Sequence, residues 1–342
     1  MHHLQDPRAH YTQSYYKHLE QHNILVDCQH GFRSKRSTET QLVTTVHDIA
    51  HTLQRTSSVH LAILDFSKAF DKVPHQRLLS KLEFYGVRGQ LHQWIMSFLT
   101  KRSQQVVCNG ATSTKQKVNS GVPQGTVLGP LFFLLYINDL PSNLQCKTRL
   151  FADDCLLYAT IVNPTTDCQL LQNDLVELES WQNRWQMKFN PKKCSTMCIS
   201  LKKDPPLREY TFCGQVLDNV DSHPYLGVQL DSKLRWKEHI ENTTANANKI
   251  LGLIKRNFWY CTEEVKKTLY TTIVRPKLEY ATAVWDPYYK RDVEKIERVQ
   301  KLAARFCTGD YRYTSSVTRM LEKLELQLLE KRRIISCLTL LY

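Results

Sequence analysis

Apolar positions in the first 100 residues form helical stripes on either side of one continuous run. The segment 39–54 carries four apolar residues spaced four, three and four apart, which are Leu42, Val46, Ile49 and Leu53. This spacing predicts an amphipathic helix. The run LAILDF at 61–66 is typical of a strand buried on both faces. Pro74 is well placed to open a helix that Gly86 ends, and residues 90–99 predict another short helix.

Turn signals divide the middle of the chain. Asn109-Gly110 predicts a β-hairpin. Residues 120–130 (SGVPQGTVLGP) hold three Gly and two Pro, so they predict an irregular loop, followed by the apolar helix of LFFLLYINDL. The segment 147–161 (KTRLFADDCLLYATI) consists of two apolar runs around a polar pair. It predicts a hairpin with Asp153 and Asp154 at its tip.

The order of these elements indicates a fold class. Leucines and tryptophans at helical spacing over 167–187 predict a helix, in which Trp181 and Trp185 are interpreted as core residues. A strand follows at 194–200, and 211–230 predict one more hairpin. The order strand, helix, hairpin, helix, strand is that of the split βαβ, or ferredoxin-like, arrangement. The chain is therefore predicted to be an α+β protein, helical from Trp236 to its end.

Composition narrows the class of protein. Of the 342 residues 42% are apolar, enough for a sizeable core, and no run of 18 apolar residues indicates a membrane span. The 11 cysteines are scattered, and no secretory signal is visible at the N-terminus, so reduced thiols in an intracellular protein are expected. Lys and Arg number 46 against 33 acidic residues, a net charge of +13. Such a field attracts polyanions, of which nucleic acid is the commonest and an anionic membrane surface a weaker alternative.

Three carboxylates carry the candidate chemistry. Asp65 ends a predicted central strand, and the fold order places the hairpin with Asp153 and Asp154 beside it. Crowded carboxylates repel one another unless a cation neutralises them. Oxygen ligands without His or Cys suit Mg²⁺ or Mn²⁺. Two such ions about 4 Å apart can activate a 3′-hydroxyl and stabilise a leaving pyrophosphate. An Asp-Asp pair alone is more often a simple turn.

Six motifs together resemble those of a known family. DFSKAFDKV, SGVPQGTVLGP and LFADD are similar, in order and spacing, to successive motifs of the reverse transcriptases of non-LTR (LINE-like) retrotransposons. GFRSKRST resembles the family's fingers motif, and FNPKKC and YLGVQL resemble its later palm and primer-grip motifs. The resemblance runs from about Gln29 to about Leu230. It implies an RNA-directed DNA polymerase with a right-hand fold.

The resemblance also implies roles for individual residues. Asp65, Asp153 and Asp154 would be catalytic ligands of two Mg²⁺ ions, with Mn²⁺ as an alternative. Phe70 falls at the position of an aromatic gate that would clash with a ribose 2′-hydroxyl. The remaining implied nucleotide-binding residues are Gln124 and Gly125 in the glycine loop, Arg33 and Arg36 as triphosphate contacts, and Lys192 or Lys193 opposite pyrophosphate. For the two arginines a solvated basic loop is the alternative interpretation, and for the two lysines it is a solvated turn.

Domain limits and partners follow from the same resemblance. We expect partial fingers at 1–60, a palm at 61–230 with a helical insertion at 74–118, and a helical thumb at 231–342. The expected partners are an RNA template, a DNA primer and dNTPs, without a membrane, in the nucleus or the cytoplasm. A fingers strand expected upstream is not found, so the chain resembles a copy truncated at its N-terminal side.

Three other classes compete with this interpretation. An RNA-dependent RNA polymerase is disfavoured because the hairpin reads Phe-Ala-Asp-Asp and the gate is aromatic. An inactive remnant that binds nucleic acid remains an alternative. A helical interaction protein is argued against by the motif-rich first 230 residues.

Overall fold

The apolar run LAIL lies in the central strand of a five-stranded sheet. In the computed structural model, which describes residues 15–55, 58–203, 205 and 208–341, this strand is β1 (Ser58–Leu64), and all seven of its residues are buried. The other strands of the sheet are β6 (Lys147–Phe151), β7 (Asp154–Ile161), β8 (Ser195–Ile199) and the short β11 (Asp218–Asn219). The sheet order is β11-β8-β1-β7-β6. Burial on both faces explains why residues 61–64 of β1 form a continuous apolar run rather than an alternating one.

The strand order confirms the predicted ferredoxin-like fold. Strand β1 is antiparallel to both β7 and β8, and β6 is antiparallel to β7. Without β11 the order is fourth, first, third, second, which is the order of a split βαβ unit. Helix and strand account for 52% and 16% of the residues, consistent with the predicted α+β class.

The remaining elements lie close to their predicted limits. Residues 15–21 are helical. Further helices in the first 220 residues are α1 (Thr38–Leu53), α2 (His75–Phe84), α3 (Gly89–Thr100), α4 (Leu128–Ile137) and α5 (Pro164–Trp185). Short 3-10 turns lie at Ala69–Asp71, Leu140–Asn143 and Pro191–Lys193. Two-residue strands are β2 (Ser103–Gln104), β3 (Val107–Cys108), β4 (Ala111–Thr112), β5 (Gln116–Lys117), β9 (Thr211–Phe212) and β10 (Gln215–Val216).

Two hairpins differ in detail from their predictions. The turn between β6 and β7 is Ala152-Asp153, and Asp154 already belongs to β7. The single hairpin predicted over 211–230 is two hairpins, β9–β10 and β12 (Ser222–Tyr225) with β13 (Val228–Asp231). The predicted Asn109-Gly110 turn is confirmed, with positive φ at both residues as a type I′ turn requires.

A wholly apolar helix anchors the region around the sheet. In α4, nine of the ten residues are buried, and Pro130 is half-buried. A helix that is hydrophobic all round belongs in a core rather than at a surface. Helix α4 therefore fixes the glycine-rich loop that leads into it, and it supplies Phe133 to the region described below.

A buried lysine links three elements of the same core. Lys81 of α2 pairs with Asp139, and its Nζ lies 3.7 Å from the centre of the Trp185 ring and 5.2 Å from that of Trp181. The indole Nε1 of Trp181 donates to Asp139 at 3.1 Å. Burial lowers the pKa of Lys81 to about 8, and the Asp139 carboxylate opposes that shift. The interpretation of Trp181 as a core residue is confirmed, since it is buried.

Removing the carboxylate of this pair should destabilise the fold. Asp139→Ala leaves the Lys81 ammonium buried without its counter-charge, and breaking a buried pair in this way costs about 3 kcal/mol. The expected loss is measured as the free energy of unfolding in urea. Glu83→Gln, on an exposed position of the same helix α2, is the matched control and should change stability by less than about 0.5 kcal/mol. A variant as stable as the control would show that the pair contributes nothing.

The second part of the chain is helical, as predicted. Grouping by proximity gives one unit of residues 1–41 and 48–220 and another of residues 42–47 and 221–342. After β13 the helices are α6 (Lys237–Asn257), α7 (Glu263–Leu269), α8 (Arg275–Glu279), α9 (Thr282–Trp285), α10 (Lys290–Thr308), α11 (Val317–Lys323) and α12 (Leu329–Leu341), with a π turn at Tyr270–Val274. Trp285 is fully buried, and its indole N–H donates to the Tyr280 carbonyl at 2.9 Å. The ring of His239 packs edge-on to it at 4.8 Å.

Two expectations about the whole chain have different outcomes. No helix among the described residues is long and apolar enough to cross a bilayer. The limits expected for three domains stay a prediction, and residues 1–14 of the first lie outside the described residues.

Candidate functional site

Asp65 is the first residue after the central strand, and its backbone is held on both sides. Its carbonyl accepts from Asn190 N at 2.8 Å, and its own N–H points to the Cys194 sulfur at 3.4 Å. The backbone N–H of Ser67 donates to the Lys188 carbonyl at 2.8 Å, so the same two segments are also joined two residues further along. The segment after α5 therefore fixes the exit of β1 and, with it, the position of the carboxylate.

The strand register brings the other two carboxylates to Asp65. Leu64 of β1 is paired with Cys155 of β7, so the next residues outward on the two strands are Asp65 and Asp154. Residues opposite one another on adjacent strands have Cβ atoms about 5 Å apart. Asp153 precedes Asp154 in the turn, where Ala152 has a φ of +52°. Three acidic side chains thus converge at one rim of the sheet, as the sequence predicted.

The pKa values of Asp153 and Asp154 are both raised at this rim. Desolvation, and then the charge of Asp65, raises the pKa of Asp153. The pKa of Asp154 is raised to about 6, first by desolvation and then by the charges of Asp153 and Asp65. Lys193 brings a positive charge to the rim, with its Nζ 3.7 Å from the Asp65 carboxylate.

The donor set fits a hard divalent cation. All three side chains offer carboxylate oxygens, which Mg²⁺ and Mn²⁺ prefer, and a cation would relieve the repulsion that raises both pKa values. In the described part of the chain, no group of three or more His, Cys, Asp or Glu side chains is arranged to hold a metal ion by itself. Mg²⁺ sites in nucleotide-processing enzymes typically use one or two carboxylates together with substrate phosphates and water, so an incomplete protein shell is the expected form.

The residue Phe70, which follows Asp65 closely in sequence, belongs to a stack of aromatic rings. Phe70, five residues after Asp65, is half-buried, and its ring stacks on Phe133 of α4 with centroids 4.4 Å apart. On another side the exposed ring of Phe32 meets it edge-on at 6.2 Å. Phe32 has a φ of +55°, unusual for a bulky residue. The ring of Phe70 is therefore supported from the core and does not depend on a flexible loop.

The glycine-rich loop is attached to the segment that carries Phe70. The backbone N–H of Val122 donates to the Phe70 carbonyl at 2.8 Å, and that of Gly121 donates to the Val73 carbonyl at 2.8 Å. A side chain at Gly121 would clash with the backbone of Asp71, so glycine is required at this close approach. The Gln124 amide donates to the Asp71 carboxylate at 2.8 Å. Asp71 thus fixes the side chain of a candidate nucleotide-binding residue.

The four basic candidates differ in their surroundings: the two lysines lie in the turn near Asp65, whereas the two arginines pair with other acidic residues. Lys193 reaches Asp65, whereas Lys192 is exposed in the same turn. Arg33 is buried, and its guanidinium forms a bidentate pair with Glu20, at 2.6 Å and 2.9 Å, and donates to the Val26 carbonyl at 2.8 Å. These contacts give Arg33 a structural role, and its expected contact with phosphate is not favoured by the geometry. Arg36 pairs with Asp27 at 2.9 Å and also donates to the Gln29 carbonyl.

Sequence reasoning missed one polar residue at the carboxylate turn. Gln29 is buried against Ala152, within the same stretch as Gly31. An isolated amide in a loop has no periodic signal and no charge to mark it, so only its neighbours in space identify it.

A sheet of this order with acidic residues at the exit of its first strand and at its central hairpin is the palm of a right-hand polymerase. Residues 9–230 match the family model described as "Reverse transcriptase (RNA-dependent DNA polymerase)". The chain belongs to this family, and the resemblance found in its motifs is confirmed.

Relatives from mobile elements agree with this assignment. The chain is 28% identical to the probable RNA-directed DNA polymerase from transposon X-element of Drosophila melanogaster, over 85% of this chain and 33% of that protein. It is 30% identical to the RNA-directed DNA polymerase from mobile element jockey of Drosophila funebris, over 82% of this chain and 32% of that protein. The chain therefore spans about a third of the length of these relatives.

A solved structure supports the fold alone. Apo telomerase from Candida Tropicalis matches with a TM-score of 0.50 and 10% identity, covering 96% of this chain and 55% of that chain. This likeness is consistent with a right-hand polymerase fold.

Proposed function

We propose that the chain is the polymerase region of a non-LTR retrotransposon protein and extends a DNA 3′ end on an RNA template. The observation that carries the proposal is the register between β1 and β7, because it sets Asp65 beside the turn with Asp153 and Asp154. Membership of the reverse transcriptase family and similarity to RNA-directed DNA polymerases of mobile elements support it.

The proposed reaction is a single in-line displacement. The primer 3′-oxygen forms a bond to the α-phosphorus of a dNTP and loses its proton, and the bond from that phosphorus to the bridging oxygen breaks, releasing pyrophosphate. Two Mg²⁺ ions held by Asp65, Asp153 and Asp154 would supply charge stabilisation for the attacking and leaving oxygens. Lys193, close to Asp65, is the better candidate of the two lysines to neutralise or protonate the leaving pyrophosphate.

Around this centre we assign the substrate contacts as follows. Phe70 excludes a 2′-hydroxyl and so selects dNTPs, while Gln124 and Gly125 line the nucleotide position. Gly125 is exposed and has a φ of +73°, so its backbone is open to close approach. The fingers, palm and thumb limits of 1–60, 61–230 and 231–342 and an intracellular site of action belong to the same proposal.

Primer extension tests the proposal directly. Purified protein, an RNA template, a DNA primer, dNTPs and Mg²⁺ should give extension products that vanish in the Asp153→Asn/Asp154→Asn double variant. The same reaction with EDTA should give none. If neither protein extends the primer but both bind RNA in a salt-sensitive manner, the chain is a binding remnant and the proposal is wrong.

The contact between Asp71 and Gln124 gives a second test. Asp71→Ala removes the acceptor that holds the Gln124 amide, and losing one charge-assisted hydrogen bond should raise the KM for dNTP about tenfold. Asp71→Asn keeps an acceptor oxygen and should have a smaller effect. If Asp71 acts through Gln124, the Asp71→Ala/Gln124→Ala double variant should be no worse than Gln124→Ala alone. Fully additive effects in steady-state kinetics would contradict this role.

A further inference from the structure

Gln29 lies against the turn that carries two of the three carboxylates. The residue is 2% exposed. Its Oε1 accepts from the backbone N–H of Ala152 at 3.0 Å and from that of Gly31 at 2.7 Å. Its Nε2 donates to the Ala152 carbonyl at 3.3 Å. One amide side chain therefore contacts both backbone polar groups of the first residue of the turn.

The backbone around Gln29 reinforces this attachment. The N–H of Leu150 donates to the Cys28 carbonyl, and the N–H of His30 donates to the Leu150 carbonyl, both at 2.8 Å. A Cβ atom at Gly31 would stand 2.2 Å from the nitrogen of Ala152. The segment 28–31 therefore pairs with the edge of the sheet beside β6, and at Gly31 it closely approaches the backbone of Ala152.

The turn needs such support for two physical reasons. Ala152 is held at a positive φ, which an L-residue with a Cβ adopts at a cost. Asp65 and Asp154 directly follow the paired residues Leu64 and Cys155 on adjacent strands, with Asp153 next in the turn, so the three negative charges repel one another. Both effects favour a relaxed turn in which the carboxylates move apart, and the hydrogen bonds of Gln29 oppose that relaxation.

We propose that Gln29 is a positioning residue that holds the Ala152-Asp153 turn in the geometry in which Asp153 and Asp154 bind divalent cations. It does not touch the reacting atoms, and it acts through the backbone of Ala152. The expected effect of Gln29 on kcat rests on the proposed function. Its expected effect on metal affinity does not depend on polymerase activity.

The chain offers a matched control for this contact. Gln172 of α5 makes the same two-sided contact with Thr211, donating to its carbonyl and accepting from its N–H, both at 2.9 Å. Gln29→Met and Gln172→Met each remove the hydrogen bonds of the side-chain amide while keeping the length of the side chain.

Metal binding is the first readout. Titration of Mn²⁺ alone, followed by electron paramagnetic resonance, should show affinity reduced about tenfold or more in Gln29→Met, as is typical when a residue that orients metal ligands is lost. Gln172→Met should bind Mn²⁺ like the wild type. Equal Mn²⁺ affinity in Gln29→Met and wild type overturns the proposal, whether or not the protein polymerises.

Kinetics and unfolding separate positioning from general damage. In primer extension, Gln29→Met should lower kcat about 50-fold with the KM for dNTP changed less than about threefold, because misplacing reacting groups by 1 Å costs about 100-fold. Thermal unfolding measures the stability lost in each of the two Met variants, and a kcat loss equal in both would assign Gln29 a purely structural role. Failure of the wild type to extend primers would count against the proposed function only, since Mn²⁺ affinity still decides the role of Gln29.

Discussion

Replacing Asp154 with asparagine should abolish extension and, without divalent metal, make the protein more stable. Losing one of the carboxylates that hold Mg²⁺ removes several kcal/mol of transition-state stabilisation, so the rate should fall about 1000-fold. Stability should change in the opposite direction, because desolvation and then the charges of Asp153 and Asp65 disfavour the ionised Asp154 carboxylate and raise its pKa to about 6. Sites built for a ligand are commonly less stable without it.

The sign of the pH dependence follows from the raised pKa. Asp154 releases its proton at a lower pH in the unfolded chain, whose reference pKa is 3.8, than in the folded protein. The wild type therefore loses stability from this group as pH rises through 4 to 6, and the loss persists at pH 7. The advantage of Asp154→Asn should accordingly be present at pH 7 in EDTA and vanish near pH 4.

Bound Mg²⁺ should stabilise the wild type more than Asp154→Asn, opposite to the order of stability expected in EDTA. Any ligand that binds only the folded state stabilises it in proportion to the logarithm of its concentration over Kd. Urea unfolding in EDTA and in excess Mg²⁺ should thus show a larger gain for the wild type than for Asp154→Asn. Glu83→Gln, an exposed change away from the rim, controls for the loss of one negative charge. A variant less stable than the wild type in EDTA would contradict the crowding argument.

Replacing Phe70 with alanine should relax the choice of sugar. Stacking on Phe133 at 4.4 Å fixes the ring, so a 2′-hydroxyl directed at it has no room created by side-chain movement. Removing a steric wall of this kind typically changes discrimination by about 100-fold. We expect the ratio of kcat/KM for dNTP to that for rNTP to fall by about this factor, mainly through improved rNTP incorporation.

Two controls isolate the effect of the Phe70 ring. Phe84→Ala removes an aromatic ring that is 84% exposed and should leave discrimination unchanged. Phe70→Leu keeps part of the volume and should give an intermediate ratio. Single-nucleotide incorporation with matched dNTP and rNTP measures each variant. If Phe70→Ala lowers both efficiencies equally, the ring serves packing and the gate lies elsewhere.

The fold class and the positions of the three carboxylates could be predicted from local sequence patterns. A strand buried on both faces favours a continuous apolar run such as LAIL, and a helix buried on all sides favours an apolar sequence such as LFFLLYI. The order of elements then allowed few topologies, and the β8-β1-β7-β6 order is the one expected. Asp65 and the Asp153-Asp154 pair could be located because each ends or begins a strand of recognisable pattern.

Contacts between distant parts of the chain, which sequence patterns do not reveal, distinguish the polar side chains near the site from those in the core. Arg33 and Lys193 are both basic residues in motifs, yet one is buried against Glu20 and the other lies beside Asp65. Asp71 and Gln29 act on Gln124 and Ala152, which are 53 and 123 residues away along the chain. Hydrogen bonds depend on distance and angle to a few tenths of an ångström, and no pattern of polarity along a chain encodes that for residues so far apart.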